Sequence, residues 1–309
     1  MNCLTLGFAL AGTLHAGGQA LIPPDVHRVL FIGDSITYGG QYVSDVETYF
    51  ITRNPGRRIE FINAGLPSET VSGLSEENHA RGAFPRPDLH ERLARVLTIT
   101  RPDLVFACYG INDGIYLPFD GERFQKFQDG VNRLRDEVIK TGAKIPFITP
   151  PTFDGKATGN MAYEETLDRY ADWLLDRRSA GWSVVDLHGP MNRHLAERRA
   201  KDPAFAYAKD GVHPDEFGHW IIAKQIILFL GGNDVANVES GSAMASTTPN
   251  GTNVFKLVEQ RQGIMKDACL TAVGHKRPGM VKGLALDEAR SKSAQLDAQI
   301  FALVAKSPD

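Results

Sequence analysis

The chain reads as an α/β protein: a doubly wound five-stranded parallel sheet with helices on both faces and a helical hairpin appended at its C-terminus. Two observations lead there. Five short, β-branched apolar runs recur between His27 and Leu187, and the stretches between them are longer and amphipathic. Strands that alternate with helix-length segments are joined by crossovers, and crossovers produce a parallel sheet covered on both sides.

The strand runs are Val29-Leu30-Phe31-Ile32, Ile59-Glu60-Phe61-Ile62, Leu104-Val105-Phe106-Ala107, Ile145-Pro146-Phe147-Ile148 and Val184-Val185-Asp186-Leu187. The polar interruption in the second suits a sheet edge. Helical periodicity covers residues 41–53, 88–99, 121–141, 161–180, 191–199 and 216–230. Thr141-Gly142 supplies a left-handed stop for the third of these. Residues 21–231 therefore form the main domain. Residues 232–253, rich in Gly, Ser, Asn and Thr and without periodicity, read as a linker. Residues 254–309 carry two apolar stripes, Val254, Leu257, Val258 and Met265, then Leu296, Ile300, Leu303 and Val304. A two-helix hairpin cannot bury both stripes alone, so it is expected to dock on the main domain.

Bulk composition excludes several classes. At 42 % hydrophobic and 23 % charged, the 309-residue chain has the make-up of a protein with a full core. A net charge of −3 gives no electrostatic reason for a nucleic-acid or membrane-surface partner. Cys3, Cys108 and Cys269 are odd in number and widely spaced, which fits neither a disulfide framework nor a zinc site. Residues 1–20 hold no Asp, Glu, Lys or Arg and end in the small-x-small step Gly18-Gln19-Ala20. They read as a secretory signal peptide, giving a secreted or periplasmic protein; an uncleaved terminus is the alternative, because no basic residue stands near the start. No later apolar run reaches membrane-spanning length.

In an open parallel sheet, ligands gather where the carboxyl ends of the strands emerge. Directly after the first run comes Gly33-Asp34-Ser35-Ile36, and after the second Asn63-Ala64-Gly65. Gly110-Ile111-Asn112-Asp113 follows the third, and Asp210-Gly211-Val212-His213-Pro214 precedes the last helix of the domain. Each block is short enough to recur by chance, yet all four follow the right element. Together they resemble the four sequence blocks of the SGNH (GDSL-type) hydrolase superfamily, over roughly residues 29–230. The resemblance implies a flavodoxin-like sheet and a serine esterase, with secreted carbohydrate O-acetyl esterases the nearest in style.

The chemistry accounts for the residue types. A serine hydroxyl attacks an ester only if a base takes its proton, and the neutral imidazole of His213 can do so for Ser35. Asp210, three residues earlier on the same turn, can hold the other ring nitrogen. The resemblance assigns the oxyanion donors to the Ser35 amide, the Gly65 amide and the Asn112 side chain; a glycine leaves its amide unblocked and asparagine donates without adding charge. Other readings stand beside these. Ser35 is also placed as a helix N-cap, Asn112 as a turn residue, and His213 as a cap on the helix that follows. His219 is a rival base; Asp154, Asp186 and Asp215 are rival orienters. Asp34 and Asp113 read as loop-bracing acceptors, His188 and Cys108 as packing residues. The turn His275-Lys276-Arg277 reads as solvated, or alternatively as reaching the cleft.

Residues 66–87, long and polar, should form one wall of the site, with Tyr116, Phe119 and Phe153 as substrate-binding residues on the other side. A shallow aromatic and polar rim suits a sugar better than a long acyl chain. The expected function is hydrolysis of small acyl esters, acetyl above all, on a polysaccharide or small glycoside. A lipid or thioester hydrolase and a catalytically silent glycan-binding module are the alternatives. No cofactor is called for, and the histidines show no metal-ligand spacing. Accordingly, activity is expected to fall as His213 takes up a proton on acidification, and to survive chelators. A rate that stays flat across the imidazole titration would contradict this.

Overall fold

Alternate residues of a strand face opposite sides of a sheet, and here they divide the core in two. Val29, Phe31, Leu104, Phe106 and Cys108 join one buried cluster, while Leu30, Ile32, Val105 and Ala107 join the other. The strands are β1 (Arg28–Gly33), β2 (Glu60–Asn63), β3 (Leu104–Cys108), β4 (Pro146–Ile148) and β5 (Ser183–Val185). They form one parallel sheet in the order β2-β1-β3-β4-β5. This computed structural model describes residues 22–305. The expected signal peptide lies outside the described residues.

Eleven α-helices occur among the described residues: α1 (Ser35–Gly39), α2 (Gln41–Arg53), α3 (Leu89–Thr100), α4 (Gly121–Lys140), α5 (Gly155–Thr158), α6 (Met161–Asp176), α7 (His188–Lys201), α8 (Glu216–Phe229), α9 (Gly241–Ser246), α10 (Gly251–Val273) and α11 (Leu286–Val304). None is long and apolar enough to cross a membrane. Aspartate side chains start five of them. Asp34, Asp88, Asp120, Asp154 and Asp215 each accept a hydrogen bond from an amide in the first turn. Each such cap contributes about 1 kcal/mol.

The strand order reverses direction between β1 and β3, and their pairing sets Gly33 beside Cys108. The loops that leave these two strand tips therefore diverge to opposite faces and open a crevice. After β2, the Ala64 amide donates to Phe31 O and the Leu66 amide to Gly33 O, each at 2.9 Å. This sews the Gly65 loop to the tip of β1.

One expectation fails. Residues 232–253 are not a free linker: a 3-10 turn at Asn233–Val235 and α9 pack on α2 and α8, and Val235, Met244 and Ala245 are buried. The carbonyl of Val238 accepts Trp220 Nε1 at 3.1 Å, and Asp234 accepts the Tyr49 hydroxyl and Arg53 Nε. The glycines that suggested flexibility are there for close approach. A Cβ on Gly241 would stand 2.1 Å from Asp45 Oδ1, and one on Gly251 2.0 Å from Ala245 O.

Beyond it, α10 packs on α11, α2 and β2. Val254, Val258, Ile300 and Val304 close a small third core over Ile51 of α2. Arg261 of α10 pairs with both Glu47 of α2 and Asp297 of α11, tying the hairpin to the main body.

His219 of α8 is stacked flat on Tyr42, with ring centroids 6.0 Å apart. Burial pushes its imidazole down from 6.5 to about 4. The fold thus holds the neutral ring, and the unfolded chain takes up a proton first. Its contribution is present above pH 6.5 and is lost as pH falls through 4. The variant H219F, followed by thermal melts between pH 7 and 4, is expected to lose less stability over that window than the parent. Parallel curves would show that another group governs the acid side.

Candidate active site

Asp34 is where the geometry begins. Buried at the tip of β1, its carboxylate accepts the Ile36 amide at 2.9 Å and starts α1 one residue later, at Ser35. Burial raises this carboxyl to about 7, against the Ile36 hydrogen bond that favours its charge. The Ile36 amide is thereby used, while the Ser35 amide, first in the helix, has no carbonyl behind it within α1.

Ser35 Oγ lies 2.8 Å from His213 Nε2, and His213 Nδ1 lies 2.6 Å from Asp210 Oδ2. The other oxygen of Asp210 accepts the amides of Val212 and His213 at 3.0 and 2.8 Å. Partial burial opposes charge on Asp210. The hydrogen bonds from the His213 amide and ring and the Val212 amide outweigh it, leaving the carboxyl below its ordinary value. Gly211, at φ +75°, makes this turn possible. A Cβ there would sit 2.4 Å from Thr158 Cγ2 and 2.9 Å from Asp154 O. His213 and Asp210 are both about half exposed, so the dyad faces solvent.

The three expected oxyanion groups are not equivalent. Asn112 is buried and held from both sides: its Nδ2 donates to Glu69 O at 3.2 Å, and its Oδ1 accepts the Tyr116 hydroxyl at 3.0 Å. One Nδ2 hydrogen is left over. The Gly65 amide, by contrast, donates to Asn63 Oδ1 at 2.9 Å. This departs from the expected free amide. The glycine is explained by contact instead, since a Cβ on Gly65 would lie 2.3 Å from Tyr38 N.

Of the three aromatic residues expected to bind substrate, only Tyr116 keeps a place by the site, and there it grips Asn112. Phe153 is 3 % exposed and packs beneath Tyr116 and against Tyr163. Phe119 packs on Phe124 in the other core cluster, under the guanidinium of Arg169. The rivals for base and orienter are engaged elsewhere. Asp154 caps α5 and pairs with Arg199, Asp215 caps α8, and Asp186 accepts the Gly189 amide. His188 bridges Pro150 O and Asp168. Arg277 lies over Phe84, so the turn of the hairpin touches the 66–87 loop.

Sequence reading missed what lies beneath. Arg92 of α3 and Glu69 form a fully buried pair, with Nε–Oε1 at 2.6 Å and Nη2–Oε2 at 2.7 Å. Arg92 also donates to Ala64 O, and the Tyr109 hydroxyl to Glu69 Oε2. Although burial opposes its charge, the adjacent carboxylate holds the Arg92 guanidinium above its ordinary range. A signal was available: Leu89, Arg92, Leu93 and Val96 share one helical face, and an arginine in an apolar stripe requires a buried counter-charge.

A 2-1-3-4-5 parallel sheet with hydroxyl, imidazole and carboxylate hydrogen-bonded in series at its C-terminal rim defines an SGNH-type hydrolase. The model of the GDSL-like Lipase/Acylhydrolase family matches residues 31–221, and the chain belongs to that family of ester hydrolases. It is 27 % identical over 226 residues to an acetylxylan esterase of Geobacillus stearothermophilus, covering 66 % of this chain and 94 % of that one. A crystal structure of that esterase superposes with a TM-score of 0.53 at 26 % identity, over 66 % of this chain and 94 % of the other. An alpha/beta hydrolase from the metagenome of Lake Arreo, Spain, shares the fold (TM-score 0.54, 23 % identity, 69 % of this chain and 98 % of that one). So does a gut microbial diltiazem-metabolizing enzyme (TM-score 0.53, 24 % identity, 69 % of this chain), of whose length the match spans about half, 49 %.

Two outcomes follow from the supporting contacts. Tyr116→Phe removes the bond that turns the Asn112 amide, so kcat is expected to fall about fivefold to tenfold with KM unchanged, since a lost hydrogen bond is worth about 1 kcal/mol. A raised KM with unchanged kcat would return Tyr116 to substrate binding. Arg92→Leu strands the Glu69 carboxylate, and urea unfolding is expected to show a loss of about 3–5 kcal/mol.

Proposed function

We propose that the protein is a serine esterase that removes small acyl groups, acetyl foremost, from carbohydrates through an acyl-enzyme. The observation that carries this reading is the unbroken series Ser35 Oγ–His213 Nε2–Asp210 at 2.8 and 2.6 Å. His213 takes the hydroxyl proton while Ser35 Oγ bonds to the ester carbonyl carbon. Asp210 keeps the Nδ1 hydrogen on its own side of the ring, so that Nε2 is the basic nitrogen, and it stabilises the imidazolium that forms. The negative oxygen of the tetrahedral intermediate is met by the Ser35 amide and the spare Asn112 hydrogen. The Gly65 amide joins them only if it leaves Asn63. Each preorganised donor of this kind contributes about 3–4 kcal/mol to the barrier reduction. Collapse expels the sugar alkoxide, which takes the proton from His213. Water, deprotonated by the same nitrogen, then frees the acid and restores Ser35.

Support for a sugar ester comes from the acetylxylan esterase relative and from the open rim, where a half-exposed dyad can meet a substituent on a polymer chain. The test is an acetate-release screen across acetylated xylan, pectin and small acetylated glycosides, with Ser35→Ala as the blank. Release from at least one glycan, reduced at least about a thousandfold in the variant, is the expected result. A marked preference for octanoyl over acetyl esters of the same alcohol would move the assignment to lipids. Undiminished turnover by Ser35→Ala would remove the serine mechanism.

A further inference from the structure

A cavity of about 470 Å³ runs along the free edge of the sheet, between β2 and the α10–α11 hairpin. It includes neither Ser35 nor His213 in its lining. One whole wall comes from residues beyond 221, where the family match ends. It is therefore an addition this chain makes to the hydrolase fold.

Its two ends differ. At the end where β1, β2 and β3 begin stand Arg28, Arg58 and Arg101. Arg28 is paired with Glu60 at 3.3 Å. Arg58 lies over the ring of Phe301, and neither it nor Arg101 has a carboxylate within ion-pair distance among the described residues. Along the cavity, Phe61, Met265, Leu286 and Phe301 supply apolar surface. Deep inside, Ser293 and Gln262 are 5 % and 7 % exposed, and Ser293 Oγ and Gln262 Oε1 have no hydrogen-bond partner. The backbone adds more. The Glu60 and Ala64 amides point to β1, so by strand alternation the Phe61 amide points into the cavity. The Phe61 carbonyl beside it accepts Gln262 Nε2 at 2.9 Å.

Buried polar atoms without partners are costly, at about 1–3 kcal/mol each, and proteins rarely leave them so. Arg58 and Arg101, exposed at the mouth of the slot and without a carboxylate partner among the described residues, add positive charge there that an anion can meet. We infer that this cavity is a binding site, distinct from the esterase centre, for a small molecule with one anionic group and an apolar or aromatic body. The anion meets Arg58 and Arg101, the body lies along β2 between Phe61 and Phe301, and a polar atom on it satisfies Ser293 and Gln262. A volume of this size accommodates a ligand of a few hundred daltons. The assignment is independent of what Ser35 hydrolyses.

The probe is 1-anilinonaphthalene-8-sulfonate, compared with the neutral N-phenyl-1-naphthylamine, titrated into the full-length protein and followed by fluorescence. The sulfonate is expected to saturate at one equivalent per chain. Arg58→Gln combined with Arg101→Gln is expected to weaken it about tenfold, equivalent to about 1.4 kcal/mol, and to leave the neutral dye unchanged. Ser293→Phe, which fills the slot, is expected to abolish binding of both while hydrolysis of p-nitrophenyl acetate continues. Non-saturating fluorescence, or titrations identical in the arginine double variant and the parent, would overturn the inference. Because both arginines sit at the surface end, that double variant decides the matter even if Ser293→Phe does not fold.

Discussion

The buried pair Glu69–Arg92 is the constraint on which the rim that carries Ser35 and Asn112 depends. It is a costly device, since two charges must leave water and only close bidentate geometry offsets the loss. What it secures is position. Glu69 stands at the end of the turn that follows β2, Arg92 reaches back from α3 to the carbonyl of Ala64, and the main-chain oxygen of Glu69 receives Asn112. One ion pair thereby fixes the spacing between the loop after β2 and the loop after β3. An apolar pair of equal volume would fill the space without specifying where those loops stop.

Above that pair, each polar group at the rim is turned by a neighbour. Tyr163 accepts the Gly114 amide and donates to Ile111 O, which locks the turn carrying Asn112. Asp113 accepts the Gly110 and Ser72 amides, joining the loop after β3 to the long wall that begins after Gly65. Burial lifts its carboxyl to about 6 in spite of these bonds. Asp34 does the same service for Ser35. The sequence blocks thus hold more bracing residues than members of the Ser35–His213–Asp210 series, and the braces explain why the blocks are several residues long.

Much of this was legible in the sequence, because periodicity and turn chemistry are local. The five strand runs, the cap at Gly142 (φ +87°) and the docked hairpin all follow from patterns within about twenty residues. Ser35 is legible at the end of the first strand run, and Asp210 and His213 in the turn before the last helix of the domain; the chain brings Ser35 and His213 to hydrogen-bond distance across 178 positions. What was missed depends on partners far away in sequence. Phe119 and Phe153 follow strands as a cleft residue would, yet their rings turn inward because Phe124 and Tyr163 offer more contact than solvent does. A glycine in the sequence implies a free amide at residue 65, but its acceptor is a side chain only two residues earlier, whose rotamer is set by Thr37 O on another element. The supposed linker failed for a related reason. Glycine marks flexibility and tight packing equally, and only a neighbour such as Asp45 tells which.

The four-residue turn that ends in His213 has a mechanical implication. Imidazole and carboxylate ride on one backbone unit, cross-braced by two amides, so fluctuation of the loop moves them as a single rigid lever. Ser35 is anchored separately, at the first position of α1 just beyond the tip of β1. The alignment of the whole relay therefore reduces to a single soft coordinate, the gap between hydroxyl and ring. Stiffness of the segment between α7 and α8 sets how often that gap closes.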